Sequence, residues 1–197
     1  MTKTEQLHEL LKRNNGYIFT SEVVSQGISR TYLAAFVKNN HLEKVAKGIY
    51  ISEDTWEDEL FILQRQYSNI IFSGETALYL HELIDREYNE ISISVKARFS
   101  GTRLREKGII ISREKDSIFG MGTTSVVTNF GNKVIVYDRE RSICDLIKNR
   151  KKVEVQNYQT AIKTYMRSQK KDLSLLVKYA ERMKLRDEVM KYVEVLV

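Results

Sequence analysis

The stretch TSEVVSQGISRTYLAAFVKNNHLEKVAKGIY runs from Thr20 to Tyr50. Ser21 to Gln26 reads as a short helix with Glu22 in its first turn, where the positive helix end favours an acid. Gly27 breaks that helix, and Ser29 caps a second one running to about Asn40. LEKVAKGIYIS then alternates Leu42, Val45, Ile49 and Ile51 around a Lys47-Gly48 turn, the pattern of a two-stranded hairpin. Upstream, Thr2-x-x-Glu5 has the form of a capping box, and Leu7, Leu10 and Leu11 form an apolar helical stripe. Asn14, Asn15 and Gly16 stop that helix, and GYIFT is extended. The order helix, helix, turn, helix, hairpin is that of a winged helix-turn-helix.

The second helix of the turn carries two faces. Stepping about 100° per residue gathers Leu33, Phe36 and Val37 on one side, which packs on the domain. Thr31, Ala35 and Lys38 lie opposite, Ala34 flanks them on one side, and Asn39 and Tyr32 flank them on the other. Ser29 and Arg30 stand at the N-terminal end. Small residues let a helix approach base edges, and an alanine can touch a thymine methyl. Ser29, Arg30, Thr31, Tyr32, Lys38 and Asn39 supply hydrogen-bond donors around them. No acidic residue occurs between Gly27 and Leu42, so nothing on this helix repels phosphate. Lys44 and Lys47 place two positive charges on the hairpin, where a wing reaches phosphate or minor groove. Double-stranded DNA is the partner this pattern predicts.

Working outward, the acidic SEDTWEDEL is a joint, with Asp54 or Thr55 capping the helix that follows. The domains predicted are residues 1–55, the DNA-binding winged helix-turn-helix, and residues 56–197, an α+β domain. In the latter NIIFS, EISISV, KGIIISR and TTSVVTNFGNKVIVYD read as strands, EISISV half-exposed and the last a hairpin turning at Gly131-Asn132. GETALYLHELI is a helix, and residues 139–149, 154–169, 172–184 and 186–196 are helices with no strand signal among them. The fold class expected is therefore α+β, with a mainly antiparallel sheet and a C-terminal helical bundle in the second domain.

Charge is unevenly spread along the chain, which carries a net +6. Residues 1–51 hold seven Lys and Arg against four Asp and Glu, residues 52–138 ten against fourteen, and residues 139–197 fifteen against eight. Two basic ends around an acidic middle suit a polyanion contacted at more than one place. The basic helical end supplies Lys148, Arg150, Lys151, Lys152, Lys163, Arg167, Lys170 and Lys171 as an additional DNA-backbone or partner surface. Cooperative assembly on DNA is an expectation of the same kind.

The lone cysteine, Cys144, excludes a disulfide framework and paired-cysteine zinc sites. No apolar stretch has membrane-spanning length, and residues 1–19 lack a signal-peptide core, so a cytoplasmic setting without membrane contact is expected. His8, His41 and His81 lack metal-ligand spacing and suit capping or packing. SGETALYL has one glycine and no Gly-Lys-Ser ending, unlike a Walker loop, and no Gly-Ser with paired strand aspartates marks a nucleotidyltransferase. Glu114 in SREK is weakly nuclease-like but has no upstream strand aspartate. Cys144 is a small core residue, and Arg141 with Asp145 is an i, i+4 pair that holds its helix locally or against the sheet. No catalytic residue, metal or cofactor is predicted. A ligand-responsive regulator, and a nuclease or transferase targeted by the winged helix, are the alternative readings.

Nearly the whole chain resembles the AbiEi antitoxins of abortive-infection systems. SGETALYLHEL and YDRERSICDLI carry the resemblance most specifically, together with FSGETALYLHELID, EISISV and LLVKYAERM. The family pattern in the second block is close to Tyr-Asp-x-Glu-Arg-Thr-x-x-Asp, and Ser142 stands here at the threonine position, keeping the hydroxyl. The resemblance implies the antitoxin of a type IV toxin–antitoxin pair that restricts phage. It implies a nucleotidyltransferase-like toxin, countered without a stable complex. It also implies repression of the protein's own promoter at inverted repeats, with the antitoxin activity in the C-terminal domain.

Overall fold

The computed structural model describes residues 1–196, with side chains through Glu194. It divides into two compact units, one of Met1–Ser68 with Val127–Lys133, the other the remainder of the chain.

The first unit opens with α1 (Lys3–Arg13), whose capping box is formed as the sequence requires. Thr2 Oγ1 accepts from the Glu5 N–H at 3.2 Å, and the Glu5 carboxylate accepts from the Thr2 N–H at 2.8 Å. There follow β1 (Tyr17–Phe19), α2 (Thr20–Ser25), α3 (Arg30–Asn39), β2 (Glu43–Ala46), β3 (Ile49–Ile51) and α4 (Glu59–Gln66). The three strands form an antiparallel sheet in the order β1-β3-β2. Successive strand residues point to opposite faces, so β1 serves two cores. Ile18 joins Leu7, Leu10, Val23, Ile28, Leu33, Phe36 and Leu42 beneath the three helices. Tyr17 and Phe19 face the other way, with Ile49, Ile51 and Ile62 of α4.

That second core moves the boundary. A first domain ending at residue 55 would leave Tyr17 and Phe19 uncovered, and the unit instead runs through α4 to Ser68. Its cap is Asp58, rather than Asp54 or Thr55, with Oδ1 accepting from the Phe61 N–H at 3.1 Å. The other carboxylate oxygen accepts from the Thr128 hydroxyl and from Asn132 Nδ2, which draws Val127–Lys133 into the unit. The Gly131-Asn132 turn is correspondingly wider than a two-residue hairpin, spanning Thr128 to Asn132, because the Asn132 carboxamide is engaged with Asp58.

The second unit holds β4 (Ile71–Phe72), α5 (Gly74–Leu80), β5 (Ser92–Lys96), α6 (Thr102–Glu106), β6 (Ile110–Glu114) and α7 (Asp116–Phe119). β7 (Thr123–Val127), β8 (Lys133–Tyr137) and α8 (Arg139–Lys148) follow. A 3-10 turn (Arg150–Lys152) leads to α9 (Val155–Arg167), α10 (Leu173–Met183) and α11 (Arg186–Leu196). The α+β class with a helical end holds. The five-stranded sheet, ordered β6-β5-β4-β8-β7, is mixed: β4 pairs antiparallel with β5, while β5–β6 and β4–β8 are parallel. The chain returns through α6 between β5 and β6, the crossover that a parallel neighbour needs.

β5 is buried from Ser92 to Val95 on both faces rather than half-exposed, because it lies between β4 and β6 with small serines at its alternate positions. Ile143, Leu146, Tyr158, Ile162, Tyr165, Leu176 and Val189 lock the four terminal helices to one another. No helix among the described residues is long and apolar enough to cross a membrane.

Candidate nucleic-acid interface

Ser29 caps α3, its Oγ accepting from the Tyr32 N–H at 3.2 Å, which leaves the hydroxyl proton free to donate outward. The turn before α3 buries Ile28 beside Val23 of α2 and so fixes the angle at which α3 leaves the domain. Leu33 and Phe36 are buried, and the Phe36 ring meets His8 of α1 edge-on at 5.0 Å. The opposite face is open: Ser29, Arg30, Thr31, Ala34, Ala35, Lys38 and Asn39 are all exposed. This is the face that the helical periodicity selects, and it carries no acid.

Tyr32 stands apart. Its hydroxyl shares a hydrogen bond of 2.7 Å with Thr4 Oγ1, the Lys3 ammonium lies 5.8 Å over its ring, and the residue is half-buried. It therefore ties α3 to α1. Sequence periodicity places Tyr32 on the flank but carries no signal of a contact with α1.

The wing is β2 and β3 with the Lys47-Gly48 turn between them. Gly48 has φ +75°, and its carbonyl accepts from the Thr20 N–H at 2.8 Å, anchoring the wing to the start of α2. Lys44 and Lys47 are exposed, as is Glu43 beside Lys44, so one acid accompanies the two wing lysines. A register shift between Lys44 and Ala46 bends the strand near its tip.

The basic residues of the second unit stand in several separate local settings. Lys148 is exposed, but its Nζ lies 3.4 Å from Oε1 of the buried Glu114, so its charge is paired. Lys171 is half-buried and donates to the Ser168 carbonyl at 3.4 Å. Lys151 and Lys152 are exposed on the 3-10 turn. Arg150 and Lys163 line one groove with Lys191. Arg167 and Lys170 line a separate cleft with Arg139 and His81.

The block YDRERSICDLI resolves into architecture, one residue at a time. Tyr137 donates its hydroxyl to the Phe119 carbonyl at 2.8 Å, and burial pushes its pKa up to about 12. Asp138 caps α8 through the Arg141 N–H at 2.7 Å and accepts from the Tyr179 hydroxyl at 3.0 Å. Arg139 donates to the His81 carbonyl at 3.2 Å, and Glu140 accepts from Tyr165 and from the Asp172 N–H at 3.0 Å each. Arg141, fully buried, donates to Asp145, to the Ile118 and Met121 carbonyls, and lies 3.7 Å from Glu114. Both readings of the Arg141–Asp145 pair are realised, since Glu114 stands on β6.

Burial raises the Cys144 thiol pKa to about 12, as befits a core residue rather than a nucleophile. His81 Nε2 is 2.7 Å from the Tyr137 carbonyl, and burial lowers its pKa. SGETALYLHEL likewise packs: Thr76 Oγ1 accepts from the Ser92 N–H at 2.9 Å, and Glu75 accepts from Asn157 at 3.2 Å. Among the described residues no group of three His, Cys, Asp or Glu could hold a metal ion.

An outward helix of small and donor residues, set by a turn against a second helix and flanked by a lysine-bearing wing, makes a winged helix-turn-helix-like unit. Residues 3–85 match the family described as transcriptional regulator, AbiEi antitoxin N-terminal domain. Residues 3–85 are thus similar to the N-terminal domain of the AbiEi antitoxins, and the resemblance read from the sequence is matched over that stretch. The match covers the winged-helix unit from α1 to α4 and runs on through β4 and α5. The match supports an antitoxin and transcriptional-regulator role. No curated protein matches the chain.

Proposed function

We propose that this protein represses its own operon by laying α3 in the major groove of promoter inverted repeats, with the wing on adjacent backbone. The observation that carries this reading is the exposed, acid-free face of Ser29, Arg30, Thr31, Ala34, Ala35, Lys38 and Asn39 on α3, flanked by Lys44 and Lys47. Arg30, Thr31, Lys38 and Asn39 read base edges and phosphate, while Ala34 and Ala35 permit close approach. Tyr32 supports the helix from behind.

The same chain acts in the cytoplasm as the antitoxin of a type IV, phage-restricting pair. It counters a nucleotidyltransferase-like toxin without a stable complex. The second unit carries that activity, and Lys151 and Lys152 extend the DNA contact along the backbone as copies assemble cooperatively. Support for this half is the family of residues 3–85 and the resemblance of YDRERSICDLI.

The test uses the full chain with Lys38→Glu, co-expressed with the toxin gene beside it and with a promoter–reporter fusion. Derepression of the reporter with growth rescue intact is expected. Loss of rescue in step with repression, in a folded variant, contradicts the division of labour.

A further inference from the structure

We infer that the groove between the 3-10 turn, α9 and α11 binds a nucleoside phosphate. The cavity measures about 440 Å³ and is lined by residues of the second unit alone. That lies within the range of roughly 300–1,000 Å³ typical of small-ligand sites.

Three cations reach it from three separate elements: Arg150 from the 3-10 turn, Lys163 from α9 and Lys191 from α11. None of the lining residues is acidic. Lys163 and Lys191 are exposed and have no ion-pair partner among the described residues, so their charge is uncompensated. Convergent like charges raise one another's energy, and an anion with several oxygens relieves that cost at once.

The floor is of another kind. Tyr158 and Tyr192 lie with ring centroids 6.2 Å apart and hydroxyls 2.6 Å apart, and Val153, Val155 and Ile162 complete the apolar lining. Arg150 stands 5.2 Å over the Tyr158 ring and 3.5 Å from the Tyr192 hydroxyl, a planar cation already stacked on an aromatic face. A flat base fits against such a floor while its phosphates meet the lysines. A bare phosphate would leave the apolar floor wet, and a duplex presents a convex backbone to a concave groove. A single nucleoside phosphate, free or at the end of a single strand, satisfies both halves.

Titration calorimetry of the full chain tests this with ATP, GTP, CTP and UTP in one arm and a 5′-phosphorylated single-stranded RNA decamer in the other. Saturable binding in the first arm identifies a free nucleotide, and saturation in the second alone identifies a strand end. In either case Lys163→Glu and Lys191→Glu should each weaken binding by at least about tenfold, the value of one charge-assisted hydrogen bond. Lys170→Glu, in the separate cleft lined by His81 and Arg139, should leave it unchanged. Both tested lysines are exposed, and circular dichroism checks that their variants fold. No saturation in either arm overturns the inference. So does wild-type affinity in both variants, or displacement of the bound probe by duplex DNA at equal charge.

Discussion

The guanidinium of Arg141, with no exposed surface, donates from Nε to Asp145 Oδ2 at 3.1 Å across one turn of α8. Its Nη1 donates to the Ile118 and Met121 carbonyls, and Glu114 of β6 stands 3.7 Å from Nη2. Removing one member of such a buried set strands the others without water. Arg141→Leu should therefore destabilise the protein by about 3–5 kcal/mol. Urea unfolding measures this, and a loss below about 1 kcal/mol would mean that the cluster is solvated.

Asp145 carries a pH signature. Burial outweighs the attraction of Arg141 and raises its pKa to about 6 from the usual 3.8. The folded state thus holds this proton more tightly than the unfolded chain. Its contribution to stability is fully present below pH 3.8 and is lost as pH rises through about 6. The stability advantage of wild type over Asp145→Asn should shrink between those values. Chemical denaturation of both proteins at pH 4 and pH 7 checks it, and an advantage that grows with pH would contradict the burial argument.

Asp58 joins three groups: the cap of α4, the Thr128 hydroxyl and the Asn132 carboxamide. Asp58→Ala removes the cap and leaves buried donors unpaired, a cost of about 2–4 kcal/mol. Thermal unfolding reads it, with Asp54→Ala, an exposed position, as the neutral comparison.

Tyr32→Phe removes the hydrogen bond to Thr4 and nothing on the open face of α3. It should lower stability by roughly 0.5–1.5 kcal/mol and leave DNA affinity unchanged. A loss of affinity in anisotropy titrations would return Tyr32 to the groove.

The parts that were legible in the sequence are those with local rules. Leu33, Phe36 and Val37 against Thr31, Ala35 and Lys38 follow from helical periodicity, and Arg141 with Asp145 from i, i+4 spacing. Thr2 and Glu5 follow from cap chemistry. What was not legible depends on contacts distant in the chain. Glu114 gives no sign that it faces α8, and Asp58 none that it faces Thr128. Ser92 and Ser94 mimic a solvent face by alternation, yet pack inside because a small hydroxyl can be accommodated between strand and helix. Lys148 counts as a surface cation until Glu114 is placed beside it.

The most direct measurement of the central claim is anisotropy titration of labelled DNA from upstream of the gene with wild type, Lys38→Glu and Lys47→Ala, across a salt series. Lys38→Glu should lose at least about tenfold in specific affinity, and Lys47→Ala should weaken all sequences alike while lowering the salt slope by about one unit. Wild-type affinity and slope in both variants, with unchanged circular dichroism, would contradict a groove-reading α3 and a backbone-reading wing.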